Sequence, residues 1–458
     1  MARMIGGPGA EIGFTPWFTT SGATMPSKSA TPLMHMLSRL FNIEQDEVQP
    51  VVIGLLMFFT LFTGYFMLRP VRETMGIAGG VDNLQWLFTA TFLATLVMLP
   101  VFGWLASRLP RRALALWVYV GCACLLLGFA GAFWLYPDSI WTARIFYIWL
   151  SVFNLIAISL AWSVLADVMA ASQAKRTFAL IAGGASVGGL LGPVLGALLV
   201  RPVGHAGLLI LSALLLLACA AAATALHRWR DARPLADADK PDPSHRAIGG
   251  NPFAGATQTF RSPYLMGITL FVLMLASINT FLYFEQARLV AEYFPDRTEQ
   301  TRIFGLIDAT VQALSLMVQV FLTGHLARRL GVGVLLVAVP LLMVPGFLAL
   351  AVAPLFSIFV VVMVIRRVGE YALVRPGREM LYAVLPAEQK YKAKNFIDTV
   401  VYRGGDAASG WLKRAIDLLG EHPAAAMLFG ALLAACWGVC GFWLGRRERA
   451  LEGGGNLK

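Results

Sequence analysis

Long apolar runs alternate with short polar stretches along most of the chain. A membrane-crossing helix needs roughly 20 mostly apolar residues to cover about 30 Å of hydrocarbon. Twelve stretches meet that length: near 50–69, 84–106, 113–135, 142–166, 177–199, 206–227, 264–287, 303–325, 332–352, 355–383, 395–418 and 424–445. Each even-numbered run exits into a basic stretch: Arg108, Arg111 and Arg112; Lys175 and Arg176; Arg228 and Arg230; Arg328 and Arg329; Lys390, Lys392 and Lys394; Arg446, Arg447 and Arg449. The opposite connections are short or acidic, as in Tyr136-Pro-Asp-Ser139 and Glu421-His-Pro423. Basic loops stay cytoplasmic, so both termini are expected on that side, with the chain in a bacterial inner membrane. The predicted class is an all-α membrane protein of about 12 transmembrane helices.

Composition agrees with this pattern. Of 458 residues, 58% are hydrophobic and 14% charged, where a soluble domain carries about 25% charged residues. The formal charge of +11 lies between apolar runs, so it reads as topology and not as a nucleic-acid-binding face. Cys122, Cys124, Cys219, Cys436 and Cys440 sit inside apolar segments and read as small buried hydrophobes. The six histidines are scattered and no phosphate-binding glycine loop occurs. No enzyme, metal or cofactor is therefore expected. Membrane lipid and a small anionic solute are the expected partners, and no oligomer is required.

The halves echo each other. Gly103-Trp-Leu-Ala-Ser-Arg-Leu-Pro110 follows the second run, and Gly324-His-Leu-Ala-Arg-Arg-Leu-Gly331 follows the eighth at an offset of 221 residues. Arg69-x-x-Arg72 and Glu285-x-x-Arg288 end the first and seventh runs at an offset of 216. Lys175-Arg-Thr-Phe178 and Ala393-Lys-Asn-Phe396 occupy equivalent loops. Three echoes at nearly one offset indicate duplication of a six-helix unit, a 6+6 arrangement with a substrate site at the midplane. The predicted layout is a 1–45 tail, a 46–228 bundle, a 229–262 linker rich in Pro, Asp, Ala and Gly, a 263–447 bundle and a 448–458 tail. Leu33 to Phe41 reads as an amphipathic stretch on the inner surface. The first 33 residues hold no apolar run, which fits an actual start at Met25 or Met34.

Ionisable residues inside spans are costly and default to pathway or pairing roles. Arg69, Arg72 and Glu73 surround Pro70 at the expected end of the first span, with Arg69 and Glu73 sharing a face. Interfacial anchoring and a cationic cavity patch both fit them. The tenth span holds Arg366, Arg367, Glu370, Arg375, Arg378 and Glu379. Spacing puts Arg366 with Glu370 and Arg375 with Glu379, while Pro376-Gly377 predicts a kink or unwound turn. A salt-bridge lock between helices and an anion site both fit this set. Lys394, Asp398, Arg403 and Asp406 mark the eleventh span, and Glu285 marks the seventh. Asp308, alone in the eighth, reads as a coupling-proton carrier or as a partner of Arg72 or Arg403. The candidate substrate-binding residues are thus Arg69, Arg72, Arg375, Arg378, Lys394 and Arg403. Candidate coupling or salt-bridge residues are Glu73, Glu285, Asp308, Glu370, Glu379, Asp398 and Asp406.

These motifs carry a resemblance. Gly103-x-Leu-Ala-x-Arg is similar to the loop motif of the major facilitator superfamily, with Ser107 and Arg328 in place of its acid. Gly184, Gly188, Gly192 and Gly196 beside Pro193 resemble that superfamily's fifth helix and imply close helix packing. Within it, Tyr371-Ala-Leu-Val-Arg-Pro-Gly-Arg-Glu-Met-Leu-Tyr382 resembles the Y-S-L-F-D-P-T-K-E-M-A-Y segment of the ATP/ADP translocase (nucleotide transporter) family. Lys390-x-Lys392-Ala-Lys394-x-x-Ile-Asp398 resembles its K-x-K-G-K-x-x-I-D, and Arg69-Pro-Val-Arg-Glu73 its K-P-L-R-D. The resemblance implies a secondary transporter of nucleotides or related organic phosphates, working by alternating access and exchange. Its lysines are Arg69 and Arg378 here, its tenth-span Asp is Arg375, an eleventh-span Lys is Asp406, and a fourth-span Glu falls near Leu150. A reversed Arg375–Asp406 pair is one expectation from that exchange of charges. Proton-coupled transport of another solute or drug, and a non-transporting membrane sensor or assembly partner, are the alternatives.

Overall fold

The computed structural model describes residues 44–169, 171–232, 255–419 and 424–455. The expected N-terminal tail, the amphipathic stretch to Phe41, most of the linker, the Glu421-His-Pro423 loop and the last three residues lie outside these. The described chain is helical. In order, α1 is Gln45–Ala78, α2 Leu84–Arg108, α3 Arg111–Leu135 and α4 Ile140–Val168. One rod, Ala171–Asp231, then breaks at Gly204 (φ 67°, ψ 179°), giving α5 (171–203) and α6 (205–231). Pro202 and a glycine free to take positive φ make that break. A short helix, Ala256–Arg261, precedes α7, Pro263–Tyr293.

The remaining helices are interrupted by wide turns. Helix α8 runs from Arg297–Val318 through a π-helical turn, Gln319–Thr323, into Gly324–Leu330. Helix α9 is Val332–Val352, and α10 joins Phe356–Gly369 to Arg375–Leu381 through the π turn Glu370–Val374. In α11, Ala387–Phe396 joins Tyr402–Leu419 through Ile397–Val401, and α12 is Ala424–Gly455. Among the described residues, nine helices are long and apolar enough to cross a membrane, the 171–231 rod counting once. Their charges keep α10 and α11 out of that set. The protein is an all-α integral membrane protein.

Of the kink or unwound turn expected at Arg375-Pro-Gly-Arg378, the unwound turn is not found, because Arg375–Leu381 is helical. The N–H of Arg375 reaches back five residues to Glu370 O. Pro376 brings no N–H, so the carbonyls of Tyr371 and Ala372 need other donors. Helix α8 supplies them: Gln319 Nε2 donates to Tyr371 O at 3.0 Å and Thr323 Oγ1 to Ala372 O at 2.7 Å. The break is absorbed as one wide turn, and helicity resumes at once.

Helix α5 packs on α1 backbone to backbone. A Cβ at Gly184 would stand 2.3 Å from Leu55 O, at Gly188 2.6 Å from Phe59 O, at Gly192 2.7 Å from Thr63 O and at Gly196 3.1 Å from Met67 O. Four glycines four residues apart thus meet four carbonyls four residues apart. On its other side α5 meets α8, where a Cβ at Gly305 would lie 2.9 Å from Ala197 Cβ and 3.0 Å from Pro193 O.

Two seams join the halves. Helix α5 meets α8, and α2 meets α11, where Trp411 Nε1 donates to Thr89 Oγ1 at 3.0 Å. Exchanging the halves converts α2·α11 into α8·α5, as an internal duplication requires. Polar links gather at the end remote from Gln49 and Gly455, called here the far end. Thr74 and Thr301 share a hydrogen bond of 2.7 Å, His205 lies 2.9 Å from Thr301, Arg201 pairs with Glu299 at 2.7 Å and Arg297 with Asp138 at 3.4 Å.

Gly192→Leu is expected to destabilise by about 1–3 kcal/mol through overpacking against α1. Gly183→Ala, where a Cβ meets nothing within 4 Å, should leave the thermal unfolding midpoint in detergent unchanged. An unchanged midpoint for Gly192→Leu would contradict the α1–α5 packing.

Candidate functional site

Between the halves lies a cavity of about 570 Å³, with walls from α1, α2, α4 and α5 on one side and α7, α8, α10 and α11 on the other. Six guanidinium groups line it, Arg69, Arg72, Arg366, Arg367, Arg375 and Arg403, against four carboxylates, Glu73, Asp308, Glu370 and Asp406. Between them stand aromatic residues, including Phe62, Tyr65, Phe66, Tyr147, Tyr371 and Tyr402. Toward the far end Phe88 packs edge-on against Tyr283 and Phe284, with ring centroids 5.2 and 5.3 Å apart.

The first-span charges are not at a span end. Helix α1 continues to Ala78, nine residues past Arg69, so Arg69, Arg72 and Glu73 all face the cavity. Glu73 takes a hydrogen bond from its neighbour Arg72 and not from Arg69, four residues away. Arg72 also sits over the Tyr147 ring at 5.3 Å. The reason is the partner that Arg69 finds elsewhere. Its Nε stands 3.6 Å from Asp308 Oδ2, and its Nη1 donates to Tyr371 Oη at 3.3 Å.

Asp308 is therefore not a lone acid. Arg367 pairs with its Oδ1 at 2.5 Å, and both side chains are 5% exposed. The expected partners Arg72 and Arg403 are engaged elsewhere. Of the two readings offered for Asp308, the pairing one finds partners here, but they are Arg367 and Arg69 and not Arg72 or Arg403.

Helix α10 satisfies its spacing only in part. Arg366 Nη1 donates to Glu370 Oε2 at 2.9 Å and to Asn279 Oδ1. Arg375 pairs with Glu370 Oε1 at 3.8 Å, not with Glu379, and its guanidinium lies over the Tyr371 ring at 4.7 Å. Its side chain is 57% exposed. The π turn accounts for this choice, because the extra residue rotates Arg375 back toward Glu370. Arg375 and Asp406 do not form the expected reversed pair. Asp406 accepts from Thr280 Oγ1 at 3.3 Å and lies 3.9 Å from Arg403.

Four of the remaining candidates belong to a cluster outside the cavity lining. Arg378 pairs with Asp398 at 3.2 Å and Lys394 with Glu379 at 2.6 Å, tying the ends of α10 and α11 together. Lys394 thus reaches Glu379 and not Asp398, its neighbour one turn on. Glu285 is buried but also outside the lining, paired with Arg288 within α7. The candidate list left out Arg366 and Arg367, along with the tyrosines and Asn279. For Arg367 the available signal was a second guanidinium next to Arg366 in an apolar run.

A cavity between two halves joined by symmetry-related seams is the layout of a secondary transporter. The chain belongs to the major facilitator superfamily, whose model matches residues 51–374. It is 25% identical over 490 residues to ADP,ATP carrier protein 1 of Chlamydia muridarum, covering 92% of this chain and 91% of that one. The ADP,ATP carrier protein 1 of Chlamydia trachomatis serovar D is 24% identical over 462 residues, covering 86% of each. The resemblance read from the tenth and eleventh spans thus extends along most of the chain. A solved bacterial homologue of the human lysosomal transporter Spinster, inward-facing and unoccupied, shares the fold with a TM-score of 0.58 at 13% identity, covering 89% of this chain and 98% of that one.

Asp308→Asn leaves Arg367 and Arg69 buried without their counter-charge and is expected to cost about 3–5 kcal/mol. Adding Arg367→Met should recover much of that loss. Thermal unfolding of the two variants checks this pairing, and an additive double variant would overturn it.

Proposed function

We propose that the chain exchanges a nucleotide or a related organic phosphate by alternating access between its halves. The carrying observation is the cavity: six guanidiniums interleaved with aromatic rings, at the boundary between duplicated bundles. Guanidinium forks suit phosphate oxygens bidentately, and aromatic faces suit a planar base. The chlamydial relatives, named ADP,ATP carriers, support the same reading. We place the chain in a bacterial inner membrane with its termini cytoplasmic, because every even-numbered helix exits into a basic stretch. The far end, where the polar links between halves gather, then faces outward. Membrane lipid and a small anionic solute are its partners in this reading.

The guanidiniums divide by how firmly they are held. Arg72, Arg366 and Arg367 each have a close carboxylate. Arg69, Arg375 and Arg403 have theirs only at 3.6, 3.8 and 3.9 Å. The loosely held three are the ones a substrate can recruit without breaking a tight buried pair. A second reading, proton coupling, is favoured by Asp406, the one cavity carboxylate without a close guanidinium among the described residues.

Counterflow in proteoliposomes tests both. Labelled nucleotide should enter only vesicles loaded with unlabelled nucleotide, with no need for a pH gradient. Arg403→Gln should lower that uptake by about tenfold, the equivalent of roughly 1.4 kcal/mol, and leave the unfolding midpoint nearly unchanged. Uptake that requires a pH gradient supports the second reading. Absence of exchange for every nucleotide and sugar phosphate tried would sink the first.

A further inference from the structure

The cavity has a definite charge, and that charge limits what it accepts. Three carboxylates, Glu73, Asp308 and Glu370, are each matched by a close guanidinium. What remains is Arg69, Arg375 and Arg403 against Asp406 alone. Six guanidiniums against four carboxylates leave a formal surplus of two positive charges. Arg403 and Asp406, three residues apart on α11, face one another. Arg69 shares Asp308 with the closer Arg367, and Arg375 shares Glu370 with the closer Arg366, so the surplus falls on Arg69 and Arg375.

These two come from opposite halves and meet at one side chain. Arg69 on α1 donates to the Tyr371 hydroxyl at 3.3 Å. Arg375 on α10 lies over the ring of the same tyrosine at 4.7 Å. The two guanidiniums thus contact one tyrosine, Arg69 at its hydroxyl and Arg375 at its ring face, with Arg375 half open to the cavity. A compact tetrahedral anion seated beside Tyr371 would meet a guanidinium from each half. Elongated dicarboxylates would not place both charges there.

Resting on the function proposed above, we infer that Arg69 and Arg375 form a phosphoryl subsite for one dianionic phosphomonoester group, and that this carrier selects substrates of two negative charges over those of three or four. A phosphomonoester approaches a charge of about −2 above its second ionisation. It neutralises the surplus. Each additional phosphate charge exceeds the surplus of two that the lining offers, and uncompensated charge at membrane depth is expensive. Arg375 is central to this selectivity, since it supplies half of the surplus.

The test is counterflow into proteoliposomes loaded with unlabelled AMP, at mildly alkaline pH and with a chelator to remove divalent cations. Labelled AMP, ADP and ATP are compared as external substrates. AMP is expected to exceed ADP and ATP in initial rate by roughly ten- to a hundredfold. Adding magnesium, which brings ATP to a net charge of two, should raise ATP uptake selectively. Arg375→Gln should abolish the preference for AMP, and Arg375→Lys, which keeps the charge, should retain it. Retention of the AMP preference in Arg375→Gln would overturn the subsite. Equal or faster entry of ADP or ATP without magnesium would overturn the selectivity while leaving nucleotide exchange intact. Failure of all three to exchange, including with ADP- or ATP-loaded vesicles, would instead remove the function on which the inference rests. The wild-type comparison decides the charge rule even if a variant does not fold.

Discussion

The fold depends on keeping ionised groups inside a membrane at tolerable cost. Asp308 is the centre of that solution. It holds Arg367 on α10 and stands beside Arg69 on α1, so a single carboxylate compensates cations from both halves. An uncompensated charge at that depth costs at least about 2.5–3.5 kcal/mol. The same principle explains why Arg72, Arg366, Glu73 and Glu370 are arranged in close pairs around the cavity. The pairs make a cationic chamber affordable, and they leave a few guanidiniums loosely held to meet a ligand.

Much of this was legible in the sequence. Hydrophobic length located the helices, because crossing hydrocarbon demands a minimum apolar run whatever the tertiary packing. The glycine stripe in α5 announced its packing face, since residues four apart share one side of a helix. The Arg366–Glu370 pair was legible for the same reason. Partners on different helices were not. Asp308 meets Arg69 and Arg367 across 239 and 59 residues of chain, and no local spacing encodes that encounter. Helix ends misled as well. The charges near Arg69 looked like a span boundary, because the compensation that lets α1 continue to Ala78 lies mostly in other elements.

The tenth helix shows where local rules bend. Proline and glycine together signalled a break, and i,i+4 spacing signalled an Arg375–Glu379 pair. Side chains from α8 supply the donors that proline removes, so the chain keeps its helical course with one residue accommodated as a wide turn. That extra residue shifts the register of everything after it. Arg375 turns toward Glu370 and Tyr371 in the cavity, and Arg378 and Glu379 turn to α11. The candidate cations thus split into a cavity group and a structural group.

The contact between α1 and α5 has a mechanical consequence. Carbonyls seated against glycines leave no soft side chain to absorb sliding, so these two helices form a stiff beam. Arg69 is mounted on one member of that beam, and the other abuts Gly305 of α8. In the exchange cycle proposed above, a displacement of α1 at Arg69 would therefore be passed through α5 to the seam with α8.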